Sequence, residues 1–469
     1  LLTVLAAGGL VLVMALTLIV GPLPGVGLLS GPQEVFAGAY VRDSLTSFLD
    51  LLLMAIALLT ILYGPDYLRP RGLPGAEFAA MLLFAITGGM LIAGARDLLL
   101  LFLALELLVL PGYMLAGYAK RDGLSTEGAI KYFLLGSFSS AIFLFGLAFT
   151  FGFTGTTRIP QVAAAIGEAV AGGGLGGLAP GLVMGLALLT TGAAFKIAAV
   201  PFHYWTPDAY QGAPTPVTGY LSVGPKIAAF ALILRLFVEA LGEAKTDWTP
   251  FVVVLAALTM TLGNLVALSQ DNIKRMLAYS SIAHTGYILV GLAAYGAAPT
   301  GSPAEQSGLV SILFYSVAYA FMNLGAFACV AALQRRPGVT SQIVTFSGLI
   351  ARAPVLTLMM TVFLLSLVGI PPLAGFWAKV FVIQAAVAVG GWLNVLAVLT
   401  VINAALAAFY YLRVVVYMWM REAPEAAPAA SIGAPTRAGL WLAAALTIIL
   451  GFVPFAVTVL AEGAALALL

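Results

Sequence analysis

The sequence predicts an all-α integral membrane protein, a polytopic bundle of about thirteen transmembrane helices. Of its 469 residues, 62% are hydrophobic and only 9% are charged, against about 25% charged in an ordinary soluble domain. Apolar runs of about 17–25 residues recur along the whole length, and each is long enough to cross ~30 Å of hydrocarbon as a helix. Paired proline-rich interruptions are the third observation, and they indicate that two of the helices are broken.

The elements follow in order from hydropathy and from charged, proline and glycine punctuation. A glycine-rich stretch at 171–177 is predicted to be a connector without a phosphate-binding pattern. Pro371 and Pro372 lie in the middle of the longest apolar run, 353–390, which is too long for one span and too short for two. The distribution of basic residues favours one broken span, because two full spans would move Arg421 and Arg437 to the opposite side. The predicted spans lie near 1–20, 44–63, 78–95, 98–118, 130–151, 182–200, 217–240, 250–268, 276–295, 309–333, 353–390, 392–420 and 438–461.

The distribution of lysine and arginine predicts the orientation of these spans. One set of loops contains twelve basic residues and the opposite set only four, which is a positive-inside signal. The first residue is then expected on the cytoplasmic side and the C-terminus on the outer side. The two sets are Arg69, Arg71, Lys120, Arg121, Lys131, Lys274, Arg275, Arg335, Arg336, Arg352, Arg421 and Arg437, against Arg42, Arg96, Arg158 and Lys245.

The interruptions also predict an internal repeat. Breaks near 182–216 and 353–390 each follow three intact spans within a five-span block, and the blocks cover 78–240 and 250–420. Because five is odd, consecutive blocks have opposite orientations, and paired broken helices in inverted repeats indicate an ion path. The remaining units are N-terminal helices at 1–77 and a C-terminal helix at 438–461.

Charged residues inside the spans are the candidate functional groups. Glu106, Lys196, Lys226 and Lys379 lie deep, and each costs ~2.5–3.5 kcal/mol on insertion scales, about 10–14 kcal/mol together before pairing. Three lysines and one glutamate cannot neutralise one another pairwise. Lysine can release a proton when nearby charge or hydration changes, whereas arginine cannot. The set therefore indicates proton transfer, with buried ion pairs that only hold helices together as the structural alternative.

Other polar residues have more open interpretations. His203 and His284 are auxiliary relay candidates or satisfied core residues, and their pattern does not favour haem ligation. Lys274 is either a relay residue or a basic residue at a helix start that sets topology and meets lipid headgroups. Arg235 and Arg413 are expected to extend toward an interface, and Asp208 to cap a short helix.

The single cysteine, Cys329, argues against an intrachain disulfide, a Cys-x-x-Cys redox pair and an iron–sulfur site. It is expected to be a small buried apolar residue. No metal site is predicted in this chain. Nothing in the charge balance, a formal net +2, implies nucleic acid as a partner.

Five motifs resemble the antiporter-like membrane subunits of respiratory complex I, the proton-pumping NADH:quinone oxidoreductase, and within them the subunit N type. In order they read LALELLVLPGYMLAGY, EGAIKYFLLGSFSSAIFLFG, KIAAVPFHYWTPDAYQGAPTPVTGYLSVGPK, GNLVALSQDNIKRMLAYSSIAHTGY and SLVGIPPLAGFWAKVFV. The resemblance extends from about residue 1 to 460. It implies fourteen transmembrane helices, of which the first would be absent from the numbered chain, and two inverted five-helix repeats.

The resemblance also implies functional roles. Glu106 matches the glutamate at the interface with a neighbouring subunit, Lys196 the lysine on the first broken helix, Lys226 the central lysine and Lys379 the terminal lysine. Lys274 and His284 match polar positions of the central hydrophilic axis. The expected proton relay therefore consists of Glu106 and the three lysines, with His203, Lys274 and His284 as auxiliary residues.

The resemblance implies a larger assembly in which other subunits carry the redox cofactors. NAD, FMN, iron–sulfur clusters and quinone would belong to partner subunits, which include a neighbouring antiporter-like subunit, in a lipid membrane that is expected to be the bacterial inner membrane. The alternatives are a subunit of a multisubunit sodium/proton antiporter, which shares the fold and the lysines, and a non-transporting scaffold. The form WTPDAYQGAPTPV favours the complex I type over the antiporter.

Overall fold

The computed structural model describes residues 2–25, 27–28, 31–171, 177–423 and 432–469. Most of the glycine-rich stretch, residues 172–176, lies outside this part. The described elements are helices with one short antiparallel hairpin. The helices are α1 (Leu2–Val20), α2 (Ser44–Leu68), α3 (Gly75–Gly94), α4 (Leu98–Ala116), α5 (Gly123–Thr154), α6 (Ile159–Val170), α7 (Pro180–Lys196), α8 (Trp205–Gly212), α9 (Thr215–Leu234), α10 (Lys245–Leu268), α11 (Ile273–Ala297), α12 (Pro303–Leu333), α13 (Leu349–Arg352), α14 (Pro354–Val368), α15 (Ala374–Val389), α16 (Leu393–Met420), α17 (Ala434–Phe452) and α18 (Phe455–Leu466), and the strands are β1 (Gln33–Val35) and β2 (Tyr40–Arg42).

The helical membrane architecture is confirmed. Eleven helices of the described part are long and apolar enough to cross a membrane. If each interrupted pair, α7 with α8 and α14 with α15, is counted as one span, the described part of the chain has thirteen, the predicted number. A six-residue π-helical turn, Arg235–Ala240, extends α9.

Two parts of the segmentation differ from the prediction. The stretch 438–461 is not one helix, because α17 ends at Phe452 and α18 begins at Phe455. Val453 precedes Pro454 and takes a non-helical conformation, as a residue before proline tends to do. In addition, α6 was not predicted as a helix. It is amphipathic and buries one apolar face through Ile159, Val162 and Ile166.

Both predicted interruptions are present. The first half-helix α7 ends at Lys196, and regular structure resumes at Trp205 after an irregular segment that contains Pro201. The half-helix α14 ends at Val368 and α15 begins at Ala374, with Pro371 and Pro372 between them. Proline has no backbone N–H and cannot continue a helix without losing a hydrogen bond.

The spans α9, α11 and α12 form the centre of the bundle. They are almost completely buried, whereas α1, α5 and α16 present more than half of their spans to the surroundings. The helices α9 and α11 both contact α12 and each other, and the second broken pair packs on α11 and α12. Polar groups on the central helices therefore lie far from lipid.

The helices α4 and α11 begin with the same local structure. The carboxylate of Asp97 accepts backbone N–H groups at the start of α4, and the amide oxygen of Asn272 does so at the start of α11, as N-cap residues do. Each cap also lies in an isolated antiparallel bridge, Asp97 with Arg158 and Asn272 with Gln342. The two helices thus begin with the same kind of cap and the same kind of bridge.

Candidate functional site

Lys196 is the last residue of α7, and its side chain is buried at the break. Its Nζ donates a hydrogen bond to Oγ of Ser140 on α5, at 3.1 Å. The ammonium also lies 5.7 Å from the ring centre of Phe195. Its position at the C-terminal end of a half-helix is favourable for a cation, because the helix dipole is negative there.

Glu106 lies on α4, half-buried, within electrostatic range of Lys196. The two side chains form no ion pair within 4 Å, and the buried Oε1 of Glu106 has no hydrogen-bond partner among the residues that the structure describes. The hydroxyl group of Tyr113 is nearby and interacts electrostatically with Glu106. The structure thus brings Glu106 and Lys196 near each other without closing a contact.

Lys226 lies halfway along α9 and is buried. Its Nζ donates to the backbone oxygen of Ser281 at 2.7 Å and to Oγ of the same serine at 2.6 Å. No carboxylate of the described chain lies within 4 Å of this ammonium. Its surroundings therefore accept hydrogen bonds without supplying a counter-charge.

His284 is the centre of a polar cluster between α11, α12 and α16. Its Nδ1 is 2.7 Å from Oη of Tyr315, and its Nε2 is 3.2 Å from Oη of Tyr411. Tyr411 also makes a hydrogen bond with Oγ of Ser280. His284 also lies within electrostatic range of both Lys226 and Lys379.

Lys379 joins the two halves of the second broken helix. The residue belongs to α15, and its buried Nζ donates to the carbonyl oxygens of Leu367 at 2.9 Å and Val368 at 2.6 Å, at the end of α14. The ammonium lies 5.2 Å from the ring centre of Tyr287. Both broken helices therefore have a lysine at the C-terminal end of their first half: Lys196 is the last residue of α7, and Lys379 binds the terminal carbonyls of α14.

Lys274 closes the end of α8. Its buried Nζ donates to the carbonyl oxygens of Gln211 at 2.9 Å and Ala213 at 2.5 Å. The expectation that Lys274 meets lipid headgroups is wrong, because its side chain is buried in the bundle. Its cationic end satisfies carbonyls that the short helix leaves open.

The expectation that Asp208 caps α8 is wrong. The N-cap position is Tyr204, and the carboxylate of Asp208 instead binds Nη1 of Arg275 on α11 at 2.6 Å and Nζ of Lys131 on α5 at 2.7 Å. Together with Lys274, these ion pairs fix α8 to its neighbours at one end of the bundle.

His203 lies in the irregular segment of the first break and is buried. Its ring stacks on Tyr204 with 4.6 Å between centroids, and its Nδ1 has no hydrogen-bond partner in the described part of the chain. The described contacts do not join His203 to Lys196. Its role as an auxiliary relay residue stays a prediction.

The two arginines within spans differ. Arg235 is completely buried, so the expectation that it extends to an interface is wrong; it pairs with Asp43 at 2.8 Å and with Glu239, and donates to the carbonyl oxygen of Ala93 at 3.0 Å. Arg413 is half-buried and reaches the turn between α10 and α11, where it donates to the carbonyl oxygen of Gln270.

Several residues of the site were not anticipated from the sequence. Ser140 and Ser281 are the direct partners of two lysines, and Tyr411 links Ser280 to His284. The signal was present, since paired serines in the runs FSSA and YSSI are unusual in deep apolar spans. Asp50 was also missed: it is buried near the start of α2 with an unpartnered Oδ1. The described residues contain no group of three or more His, Cys, Asp or Glu side chains that could hold a metal ion.

The fold and these buried groups define a helical membrane protein with two broken helices and a row of buried lysines. A family model described as "NADH:quinone oxidoreductase/Mrp antiporter, TM" matches residues 95–406. Because this match covers well over half of the chain, the chain belongs to that family.

Relatives and solved structures agree with the assignment. The chain is 42% identical over 420 residues to NADH-quinone oxidoreductase subunit N of Trichlorobacter lovleyi, covering 89% of this chain and 83% of the relative. It is 43% identical over 476 residues to subunit N of Myxococcus xanthus, covering 96% and 88%. A chain of respiratory complex I from Thermus thermophilus superposes with a TM-score of 0.77 at 34% identity, covering 97% and 93%. A chain of the Mrp complex from Dietzia has a TM-score of 0.81 at 21% identity, with 100% and 91% covered, which supports the fold alone.

Proposed function

We propose that this chain is a proton-translocating membrane subunit of NADH:quinone oxidoreductase, with the role of subunit N in its relatives. The observation that carries the proposal is the row Lys196, Lys226 and Lys379. All three ammonium groups are buried, and none has a carboxylate within 4 Å among the described residues. A scaffold would gain little from three unneutralised cations, each costing ~2.5–3.5 kcal/mol to insert. A proton carrier needs groups that can hold a proton or give it up.

The relay begins at Glu106 and Lys196. Quinone reduction in partner subunits shifts charge toward Glu106, and its unpartnered Oε1 leaves this carboxylate free to approach or leave the ammonium of Lys196. When the carboxylate of Glu106 approaches, its negative charge stabilises the protonated form of Lys196. When the carboxylate withdraws, release of the proton from Lys196 is favoured. Ser140 holds the Lys196 ammonium in position for either state.

The proton then passes through the centre of the bundle. Lys226 takes it up, with Ser281 as its direct partner, and the set of Ser280, Tyr411 and His284 bridges toward Lys379. Hydroxyl and imidazole groups can donate and accept at once, which a relay needs. Water is proposed to close the remaining gaps, and His203 and Lys274 are auxiliary positions on this route.

The architecture proposed for this transport consists of inverted repeats at 78–240 and 250–420. The matched caps of α4 and α11 and the two lysine ammonium groups at half-helix ends support it. The end of the bundle that carries most basic residues is proposed to face the cytoplasm of a bacterium, with the C-terminus outside. NAD, FMN, iron–sulfur clusters and quinone are assigned to partner subunits, one of them a neighbouring antiporter-like subunit.

The test replaces Lys226 or Lys379 by Met in the intact complex and measures assembly and proton pumping separately. We expect assembled complexes that pump poorly. Intact assembly with undiminished pumping in both variants would instead favour the scaffold. Oxidation of NADH by the isolated chain would contradict the assignment of redox chemistry to its partners.

A second candidate is a subunit of a sodium/proton antiporter, which the family description and the fold shared with the Mrp complex support. Purification of the chain from its native membrane distinguishes the two. Co-purifying iron–sulfur subunits support the complex I assignment, whereas small membrane subunits only, with sodium-dependent proton exchange, support the antiporter.

A further inference from the structure

An apolar groove lies on the exposed surface of α5, next to the break between α7 and α8. Its volume is about 350 Å³, and its described lining carries no charged side chain. One wall is the surface of α5, and the other is formed by aromatic residues that flank the break. The main lining residues are Leu135, Phe138, Ile142, Phe195, Phe202 and Trp205.

A basic depression lies nearer the end of the same helix, around the turn between α4 and α5. Its lining includes Lys120, Arg121 and Lys131. Lys131 is already neutralised, because its Nζ lies 2.6 Å from Glu127 and 2.7 Å from Asp208. The side chains of Lys120 and Arg121 have no hydrogen-bond or ion-pair partner in the described part of the chain. Two positive charges are thus available to an anion.

A stripe of exposed apolar side chains connects the depression to the groove. Ile130, Leu134 and Phe138 are 53%, 60% and 68% exposed and follow one another at the four-residue spacing that keeps helical side chains on one face. From Lys131 to Phe138 the helix rises ~10 Å. A chain attached to an anionic headgroup in the depression would run along this stripe into the groove.

We propose that this surface binds one anionic phospholipid, with its phosphate on Lys120 and Arg121 and one acyl chain in the groove. Charge complementarity favours this occupant, because both cations lie at the end of the bundle assigned to the cytoplasm, where anionic lipids attract basic clusters. A neighbouring protein helix would have no comparable need for a basic depression above an apolar groove.

The bound chain would also act on the proton path. It packs against Phe195 and Trp205, whose Nε1 donates to the carbonyl oxygen of Phe195 at 3.1 Å across the break. Phe195 directly precedes Lys196. Filling the groove therefore supports the local structure that positions this lysine, and that link rests on the proposed function.

The experiment counts anionic lipid bound to the intact purified complex by native mass spectrometry, after exchange into detergent with added phosphatidylglycerol. The headgroup variant is K120Q/R121Q and the groove variant is Ile142→Trp, which fills the space without changing charge. The matched control is R69Q/R336Q, which removes two exposed basic residues at the same end of the bundle. Subunit content is measured in each sample.

We expect each site variant to retain one fewer anionic lipid per complex, with unchanged subunit content, and the control to match the wild type. An unchanged lipid count in both site variants would overturn the proposal. So would loss of a neighbouring subunit in both, since the surface would then be a protein interface. Lipid is counted without turnover, so the outcome does not depend on whether this chain translocates protons.

Discussion

Two buried lysines should lose very different amounts of stability on the same substitution to methionine. Lys245 is paired with Glu305 at 2.5 Å, and both are buried, whereas Ser281 is the only hydrogen-bond partner of the Lys226 ammonium among the described residues. Lys245→Met leaves the carboxylate of Glu305 buried and unpaired, which costs ~3–5 kcal/mol. Lys226→Met loses two charged hydrogen bonds, each worth ~1.5–3 kcal/mol, but it also removes an ammonium that costs ~2.5–3.5 kcal/mol to insert. At the middle of both ranges the second change should therefore cost only ~1–2 kcal/mol.

The assay is thermal unfolding of the purified complex. The quantity measured at each temperature is the fraction of this chain that stays folded and assembled. We expect Lys245→Met to lower the transition temperature clearly, Lys226→Met to lower it much less, and Glu305→Gln added to Lys245→Met to recover part of the loss. Equal destabilisation by the two methionine substitutions would refute the reasoning, because Lys226 would then have a buried counter-charge.

Three further substitutions test separate parts of the structure. Arg235→Met should destabilise the chain by ~3–5 kcal/mol, since it leaves Asp43 buried without its cation; a complex of wild-type thermal stability would contradict this. Gly263→Val should lower the free energy of unfolding by ~1–3 kcal/mol, because a Cβ there would lie 2.6 Å from a backbone nitrogen of α11. Gly8→Val is the control: a Cβ at Gly8 would have no atom within 4 Å, so this change should leave the thermal stability unchanged. Lys274→Gln should release the end of α8 and slow pumping by the assembled complex; pumping at the wild-type rate would remove this residue from the mechanism.

The sequence was sufficient for the architecture because lipid imposes a simple rule on the chain. Every span must satisfy its own backbone, so length, hydropathy and proline identify the helices and their breaks. The rule fails where a segment is short: α6 is too short to register as a span, and Pro454 divides the last predicted span into α17 and α18.

The site was predictable in residue type and less so in geometry. Buried charge is costly enough that Lys196, Lys226 and Lys379 could be identified from their position in apolar runs alone. Their partners could not, because Ser140 and Ser281 come from helices remote in the sequence. For the same reason Arg235, whose partner Asp43 lies 192 positions away, was assigned to an interface although it is fully buried.

The central claim is that the middle lysine must give up its proton during transport, and Lys226→Arg tests it most directly. Arginine keeps the positive charge but does not deprotonate in proteins. The measurement is proton uptake into liposomes by the reconstituted, fully assembled complex, compared with its rate of quinone reduction. We predict that the arginine variant assembles and pumps no better than Lys226→Met. Pumping at the wild-type proton-to-electron ratio would contradict the claim, because a fixed charge at this position would then be sufficient.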